Sequence, residues 1–275
     1  MQSKSMLNTF LIYLALVMIG VTTIYPLLWM VSTSLQPRGA DVTDLRNLIP
    51  TVLNFDNYRR VFFETDFARA FLNSTFITVT VTIGQVFTSS LAAYAFARMK
   101  FFARDRIFLG YLGTLMIPAT VTMIPLFLIL RAIGWVDTYY ALIVPSMFSA
   151  YGTFMLRQFF MALPRDLEES AMIDGCGHFG IYFHVILPLS HNALLTLAIL
   201  TFMGSWKNLM WPLIITHSPQ LYTLPLALAK FNELNSVQWS LLMAGGTIMM
   251  LPMLILFMVG QKYFTKGIML GAVKG

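Results

Sequence analysis

The chain alternates between long runs without a formal charge and short segments where its charges crowd together. Uncharged stretches span 33 residues between Lys4 and Arg38, 28 between Arg69 and Arg98, and 24 between Arg106 and Arg131. Further runs cover 19 residues between Asp137 and Arg157, 32 between Asp174 and Lys207, and 28 between Glu233 and Lys262. A membrane-crossing helix needs about 20 mainly apolar residues, so these runs predict six spans at roughly 10–31, 72–97, 107–131, 138–160, 190–215 and 241–263. A membrane barrel would instead alternate apolar and polar positions in segments of about 10 residues, a pattern absent here. The expectation is an all-α, polytopic membrane protein, a bundle of six transmembrane helices. The first span is longer than the apolar part of a signal peptide and no small-residue cleavage site follows it, so it reads as a retained anchor.

Composition removes the other classes. Hydrophobic residues make up 57% and charged residues 11%, and the mean hydropathy is +0.72. Soluble domains carry about 25% charge. The net charge of +6 arises from 18 Lys+Arg against 12 Asp+Glu, a scarcity of both signs that excludes a nucleic-acid surface. A single cysteine, Cys176, excludes a disulfide framework and a Cys-based zinc site. Placing the N-terminus inside leaves ten basic residues in interior segments and seven in exterior ones, with Lys207 inside a span. The tight cluster Arg98, Lys100, Arg104 and Arg106 sets the orientation, both termini on the cytoplasmic side.

One interior connection, between the fourth and fifth spans, is far longer than a link requires. From Leu163 to Pro188 it reads as two short helices at a glycine corner. Pro164 suits a first helical turn, and Asp166, Glu168 and Glu169 place negative charge at the positive end of that helix. Leu167 and Ala171 share a face. Gly175 and Gly177 end the helix. Phe179, Tyr182, Phe183 and Ile186 then form an apolar stripe, and Pro188 restricts the start of the fifth span. Such a segment binds something.

The spacing within it resembles a known signature. Glu169-Ser170-Ala171, three residues, Gly175, nine residues, Val185, one residue and Leu187-Pro188 is similar to the loop of ABC-transporter permeases. There the pattern is Glu-Ala-Ala, three residues, Gly, nine residues, Ile, one residue, Leu-Pro. Ser170 and Val185 depart conservatively, and Asp174 before the glycine also fits. Asn57-Tyr58, Phe71-Leu72-Asn73-Ser74, Ile117-Pro118, Ile124-Pro125, Trp206, Trp211-Pro212 and the tail from Gly271 to Gly275 resemble, more narrowly, the second membrane subunit of maltose-type sugar importers. The resemblance runs from about residue 55 to the end. It implies a first span and exterior loop (1–69), a permease core of five spans with a cytoplasmic signature loop (70–263, loop 162–189), and a cytoplasmic tail (264–275).

What this resemblance implies about function is specific. The loop, through Glu169, Ser170, Ala171, Asp174, Gly175, Val185, Leu187 and Pro188, docks on a cytoplasmic ATPase dimer, and Gly271 and Lys274 in the tail reach the same partner. A homologous second permease completes the pathway, and an extracytoplasmic solute-binding protein delivers a carbohydrate or polyol. The setting is a bacterial or archaeal cytoplasmic membrane. No Gly-x-x-x-x-Gly-Lys-Ser/Thr loop is present, so ATP and Mg are expected on the partner ATPase, with no cofactor, catalytic residue or metal on this chain. Energy then enters mechanically and drives alternating access.

Trp206, Lys207, Asn208 and Trp211, with Pro118 and Pro125, are candidates for the solute path. Relatives carry Asn followed by an acid where this chain has Lys207-Asn208. The simpler reading has Lys207 snorkelling to the exterior surface, the tryptophans in an aromatic belt and the prolines as kinks absorbed by neighbouring helices. His178, His184 and His191 are spaced suggestively for a metal, but the nearby acids are already assigned to a helix start, so no metal site is expected. Two other classes remain open: a membrane enzyme using Glu168, Glu169 and Asp174, and a secondary transporter, although no acid lies within the six spans.

Overall fold

The computed structural model describes residues 2–37, 49, 50, 53–63, 65–234 and 238–272, with the backbone alone at 2–5, 7, 231–234 and 262–272. Arg38, Asp41, Asp44, Arg46, Glu64 and Lys274 lie outside the described residues, as does the side-chain environment of Gly271. In chain order the helices are α1 (Gln2–Ser34), α2 (Asp56–Phe63), α3 (Phe67–Arg98), α4 (Arg104–Gly113), α5 (Ala119–Ala132), α6 (Tyr139–Ile143) and α7 (Ala150–Ala162). They continue with α8 (Asp166–Ile173), α9 (His178–Ile181), a π-helical turn (Tyr182–Ile186), α10 (Leu187–Leu189), α11 (His191–Trp206), α12 (Met210–Ile215), α13 (Leu224–Leu234) and α14 (Trp239–Ala272). No strand occurs among the described residues, so the all-α expectation holds.

The spans are less regular than the charge pattern suggests. Among the described residues, three helices are long and apolar enough to cross a bilayer: Asn8–Ser34, Phe67–Arg98 and Trp239–Gln261. The third predicted span bends by 101° between Met116 and Ala119, and the helices on either side of Ser190 bend by 77°. The stretch predicted as a fourth span, 138–160, is α6, a 3₁₀ turn at Pro145–Met147, extended residues Phe148 and Ser149, and α7. Proline explains most of these breaks. It lacks an N–H, and its ring clashes with the carbonyl four residues back. Pro118 caps the start of α5, whereas Pro125 is carried inside that helix. Pro212 would meet the carbonyl of Asn208 in a continuous helix, and α11 stops at Trp206. Lys207 therefore lies at a helix break, and its side chain is exposed.

The chain forms two compact units, residues 1–68 with 227–252, and residues 69–226 with 253–275. In the first, Asn57 donates through Nδ2 to the carbonyls of Ser34 (2.9 Å) and Gln36 (2.8 Å), satisfying acceptors at the end of α1. Phe10, Ile12, Tyr13, Val17 and Val21 of α1 are all more than half exposed, a surface suited to hydrocarbon and not to water.

In the second unit α3 is the spine. Near its C-terminus Ala93, Tyr94 and Ala97 pack with Leu156 and Phe160 of α7, Ile181, Tyr182 and Ile186, and Ala193 and Leu197 of α11. Nearer its start Ile77 and Val81 pack with Leu130, Ala141, Leu142, Ile143, Trp211 and Ile215. Between these clusters the helices approach closely. A Cβ on Gly152 would lie 2.7 Å from Ser89 Oγ, the small-residue contact typical of membrane helices.

Candidate functional site

The long interior connection folds as two helices around a sharp corner. α8 ends in a Schellman cap: Cys176 N–H donates to Ala171 O (2.9 Å) and Gly175 N–H to Met172 O (3.0 Å). Gly175 has φ +86°, a conformation that glycine adopts without strain. Pro164 sits two residues ahead of α8, just outside its first turn.

Two faces follow from this corner. Glu169, Ser170, Asp174, Gly175 and Pro188 are exposed, while Ala171, Val185 and Leu187 pack against the core cluster that holds Tyr182 and Ile186. The expected four-residue apolar stripe divides. Tyr182 and Ile186 are 1% exposed, but Phe179 and Phe183 stand out at 75% and 50%. The π turn at Tyr182–Ile186 shifts the register of inward positions, so Ile181 takes the buried place beside Tyr182. Among the described residues, Ile173, Phe179 and Phe183 thus form an outward apolar surface next to the acids Glu169 and Asp174.

Glu168 behaves unlike its neighbour. It is buried, and its Oε1 lies 2.9 Å from Arg98 Nε, with side-chain exposures of 10% and 4%. The contact is an ion pair without hydrogen-bond alignment. A second guanidinium nitrogen of Arg98, NH2, donates to the carbonyls of Phe160 (2.6 Å) and Leu163 (2.7 Å) at the end of α7. One arginine at the end of α3 therefore fastens both α7 and α8. The sequence carries a signal for this, an arginine closing a 28-residue uncharged run, but Glu168 and Glu169 are indistinguishable from composition alone.

Between α3, α7, α11 and α12 lies a cavity of about 480 Å³. Its polar lining comes from Ser74, Thr78, Gln85, Ser146, Ser149, Tyr151, Thr201, Ser205, Asn208 and Thr223, with Phe148 and Trp211 as further aromatics and no charged side chain. Some of these groups are oriented by mutual bonds, Gln85 Nε2 to Thr201 Oγ1 (2.9 Å) and Ser205 Oγ to Thr78 Oγ1 (3.3 Å). Trp211 donates its indole N–H to Ala141 O (2.9 Å) and so presents only ring surface to the cavity. Of the six candidate path residues, Asn208 and Trp211 line this space. Trp206 is buried against Phe71 and Phe202, Lys207 is exposed at the break, and Pro118 and Pro125 are exposed away from it. The hydroxyl lining of α3 was not anticipated.

At the end of the unit that holds the start of α3, loops are cross-tied. Asn73 Nδ2 donates to Gln220 O (2.8 Å) and Tyr222 O (3.0 Å), and Ser74 Oγ accepts from Leu224 N (2.7 Å). Asp137, at φ +60°, accepts from the N–H groups of His217 (2.9 Å) and Ser218 (3.0 Å) and from the Ser218 hydroxyl (2.5 Å). Burial works to raise its pKa, but the Ser218 hydroxyl and the two backbone donors outweigh this and hold the carboxyl below its ordinary range.

Fold and cavity define a polytopic helical membrane protein of the permease class. Residues 85–269 match the family described as the binding-protein-dependent transport system inner membrane component, and the chain belongs to that family. It is 34% identical to an arabinooligosaccharides transport system permease protein of Halalkalibacterium halodurans, over 100% of this chain and 99% of that one. It is 32% identical to a trehalose/maltose transport system permease protein of Thermococcus litoralis, over 99% of both. A bacterial ABC transporter involved in the import of the acidic polysaccharide alginate shares its fold, with a TM-score of 0.86 at 24% identity over 95% of this chain and 98% of that one. A second alginate transporter structure, in complex with an alginate pentasaccharide-bound periplasmic protein, matches with a TM-score of 0.55 at 14% identity, over 94% of each chain. The relatives are named as transport components and not as enzymes, so the expected class, an ABC importer permease of the sugar type embedded in the membrane by several spans, stands.

Proposed function

We propose that this chain is one permease half of an ATP-driven importer that passes an uncharged oligosaccharide across the cytoplasmic membrane. The observation that carries the substrate class is the cavity, rich in hydroxyl and amide groups and free of charged side chains. Hydroxyls and amides exchange hydrogen bonds with sugar hydroxyls, and Tyr151, Phe148 and Trp211 offer ring faces for pyranose C–H surfaces. A carboxylated sugar would find no cation there to offset its desolvation. The names of the arabinooligosaccharide and trehalose/maltose relatives support the same class.

Energy enters through residues 164–188. The exposed acids Glu169 and Asp174 and the apolar side chains of Ile173, Phe179 and Phe183 suit docking on a partner ATPase that holds ATP and Mg. Arg98 joins that loop to α3 and α7, so that closure of the ATPase rocks the helices around the cavity in alternating access. A homologous permease supplies the other half and an external binding protein delivers the solute. Ten basic residues against five acids in the segments assigned to the interior support an orientation with both termini in the cytoplasm.

The test is uptake by the complete importer in liposomes, comparing neutral arabino- and malto-oligosaccharides with uronate oligosaccharides of equal length. Neutral sugars should accumulate only with ATP, and Tyr151→Ala should lower uptake at limiting sugar about tenfold, the loss of one aromatic contact. Uronates accumulating as well as neutral sugars, or no effect of Tyr151→Ala, would reject the assignment.

A further inference from the structure

A second cavity, about 490 Å³, opens at the end of α3 and is lined by Lys100, Phe101, Ala103, Arg104, Asp105, Arg106 and Arg165. Four cations against one acid give it a net charge of +3, in a chain where charge is scarce. Arg104 is engaged by Asp105 (3.0 Å) and by Met99 O (3.3 Å). Arg157, nearby, lies over the Phe108 ring at 4.1 Å and reaches Asp105 at 3.5 Å. Asp105 is thus shared by two arginines. The side chains of Lys100, Arg106 and Arg165 have no partner among the described residues.

The first turn of α4 carries Arg104 and Arg106 beside Asp105, and Arg165 stands at the N-cap of α8 ahead of Asp166, Glu168 and Glu169. With Asp105 taken up by Arg104 and Arg157, an anion in the cavity would offset the positive charge that remains. Phe101 and Phe102, 42% and 94% exposed, flank the cluster at the tip of the α3–α4 turn, which favours a membrane-borne anion over a soluble one. Exposed aromatic rings beside cations at the end of a spanning helix belong to the bilayer surface.

We propose that this cavity holds the phosphodiester headgroup of an anionic phospholipid, with Lys100, Arg106 and Arg165 as its ligands and Phe101 and Phe102 inserted among the adjacent acyl chains. Arg165 begins the docking loop and Lys100 follows α3, so the bound headgroup ties the loop's first helix to the membrane surface. The inference rests on the membrane-spanning fold and not on the ATPase-coupling role.

The experiment uses the complete importer purified in neutral detergent, with retained lipid counted by native mass spectrometry after addition of dioleoylphosphatidylglycerol or dioleoylphosphatidylcholine. Each cation at an anionic surface is worth about fivefold in affinity, so the K100Q/R106Q/R165Q triple variant should bind the phosphatidylglycerol about a hundredfold more weakly. The conservative K100R/R106K/R165K variant should keep it, which separates charge from misfolding. Phosphatidylcholine should not be held, and excess inorganic phosphate should leave the bound lipid in place. Equal phosphatidylglycerol retention by the natural protein and K100Q/R106Q/R165Q overturns the proposal, and displacement by inorganic phosphate reassigns the site to a soluble anion. Lipid counting needs no transport, so failure here and failure of the uptake assay are separable.

Discussion

Replacing Glu168 by Gln leaves the Arg98 guanidinium 4% exposed and facing an uncharged amide. Breaking a buried ion pair by neutralising one partner costs about 3–5 kcal/mol, because the remaining charge stays desolvated. The two carbonyls on Arg98 soften the loss, so about 3 kcal/mol is expected, read as a lower thermal midpoint of the detergent-purified protein. Glu169→Lys, one position along and exposed, should leave that midpoint unchanged while abolishing ATP-dependent uptake. A midpoint that falls equally in both variants would remove the distinction between an anchoring and a docking glutamate. Sequence reading placed both acids at the start of one helix and took the signature motif to mark the second. Consecutive helical residues point about 100° apart, so the two acids had to face differently, but nothing local in the sequence says that the first of them meets the arginine closing α3. The cavity lining was hidden for a related reason. Ser74, Thr78 and Gln85 share one face of α3, but in a helix buried on several sides their polarity looks like scattered neutral residues within an apolar run.

Elements were legible by type and less so by continuity. An uncharged run reports that a segment avoids water, and says nothing about whether one axis passes through it. Hence 72–97 became a single helix, while 107–131 and 190–215 were broken near Pro118 and before Pro212. The prolines were visible, but whether each one bends, ends or merely interrupts a helix depends on what satisfies the freed carbonyls. The corner between α8 and α9 was legible because its chemistry is local. Gly175 sits at φ +86° with nothing within 4 Å of an added Cβ, so Gly175→Ala isolates the backbone cost, about 1–2 kcal/mol. Gly175→Ala should therefore lower stability by that amount and weaken uptake, whereas Gly175→Pro, which cannot reach positive φ at all, should abolish uptake with the protein still in the membrane. Normal uptake by Gly175→Pro would mean that the corner is not a rigid part of the coupling.

On the proposed orientation, the charge of the sequence is partitioned by side. The segments assigned to the exterior carry seven basic and seven acidic residues, and those assigned to the cytoplasm ten against five. The cavity lining carries none. An uncharged cavity suits a neutral solute, and the surplus of basic residues in the segments assigned to the cytoplasm favours contact with anionic headgroups. Orientation is measurable on this chain, because Cys176 is its single cysteine and lies, partly exposed, in the loop proposed to dock the ATPase. A membrane-impermeant maleimide should label Cys176 in inside-out vesicles stripped of the ATPase and leave it unlabelled in intact cells. In a Cys176→Ser background, His217→Cys, exposed beside Asp137 at the opposite end of the second unit, should give the reverse pattern. Restoring the ATPase should then protect Cys176 but not a cysteine at 217, since the proposed coupling surface surrounds the first and not the second. Labelling of Cys176 from outside the cell would invert the topology and with it the direction in which the docking loop could be driven.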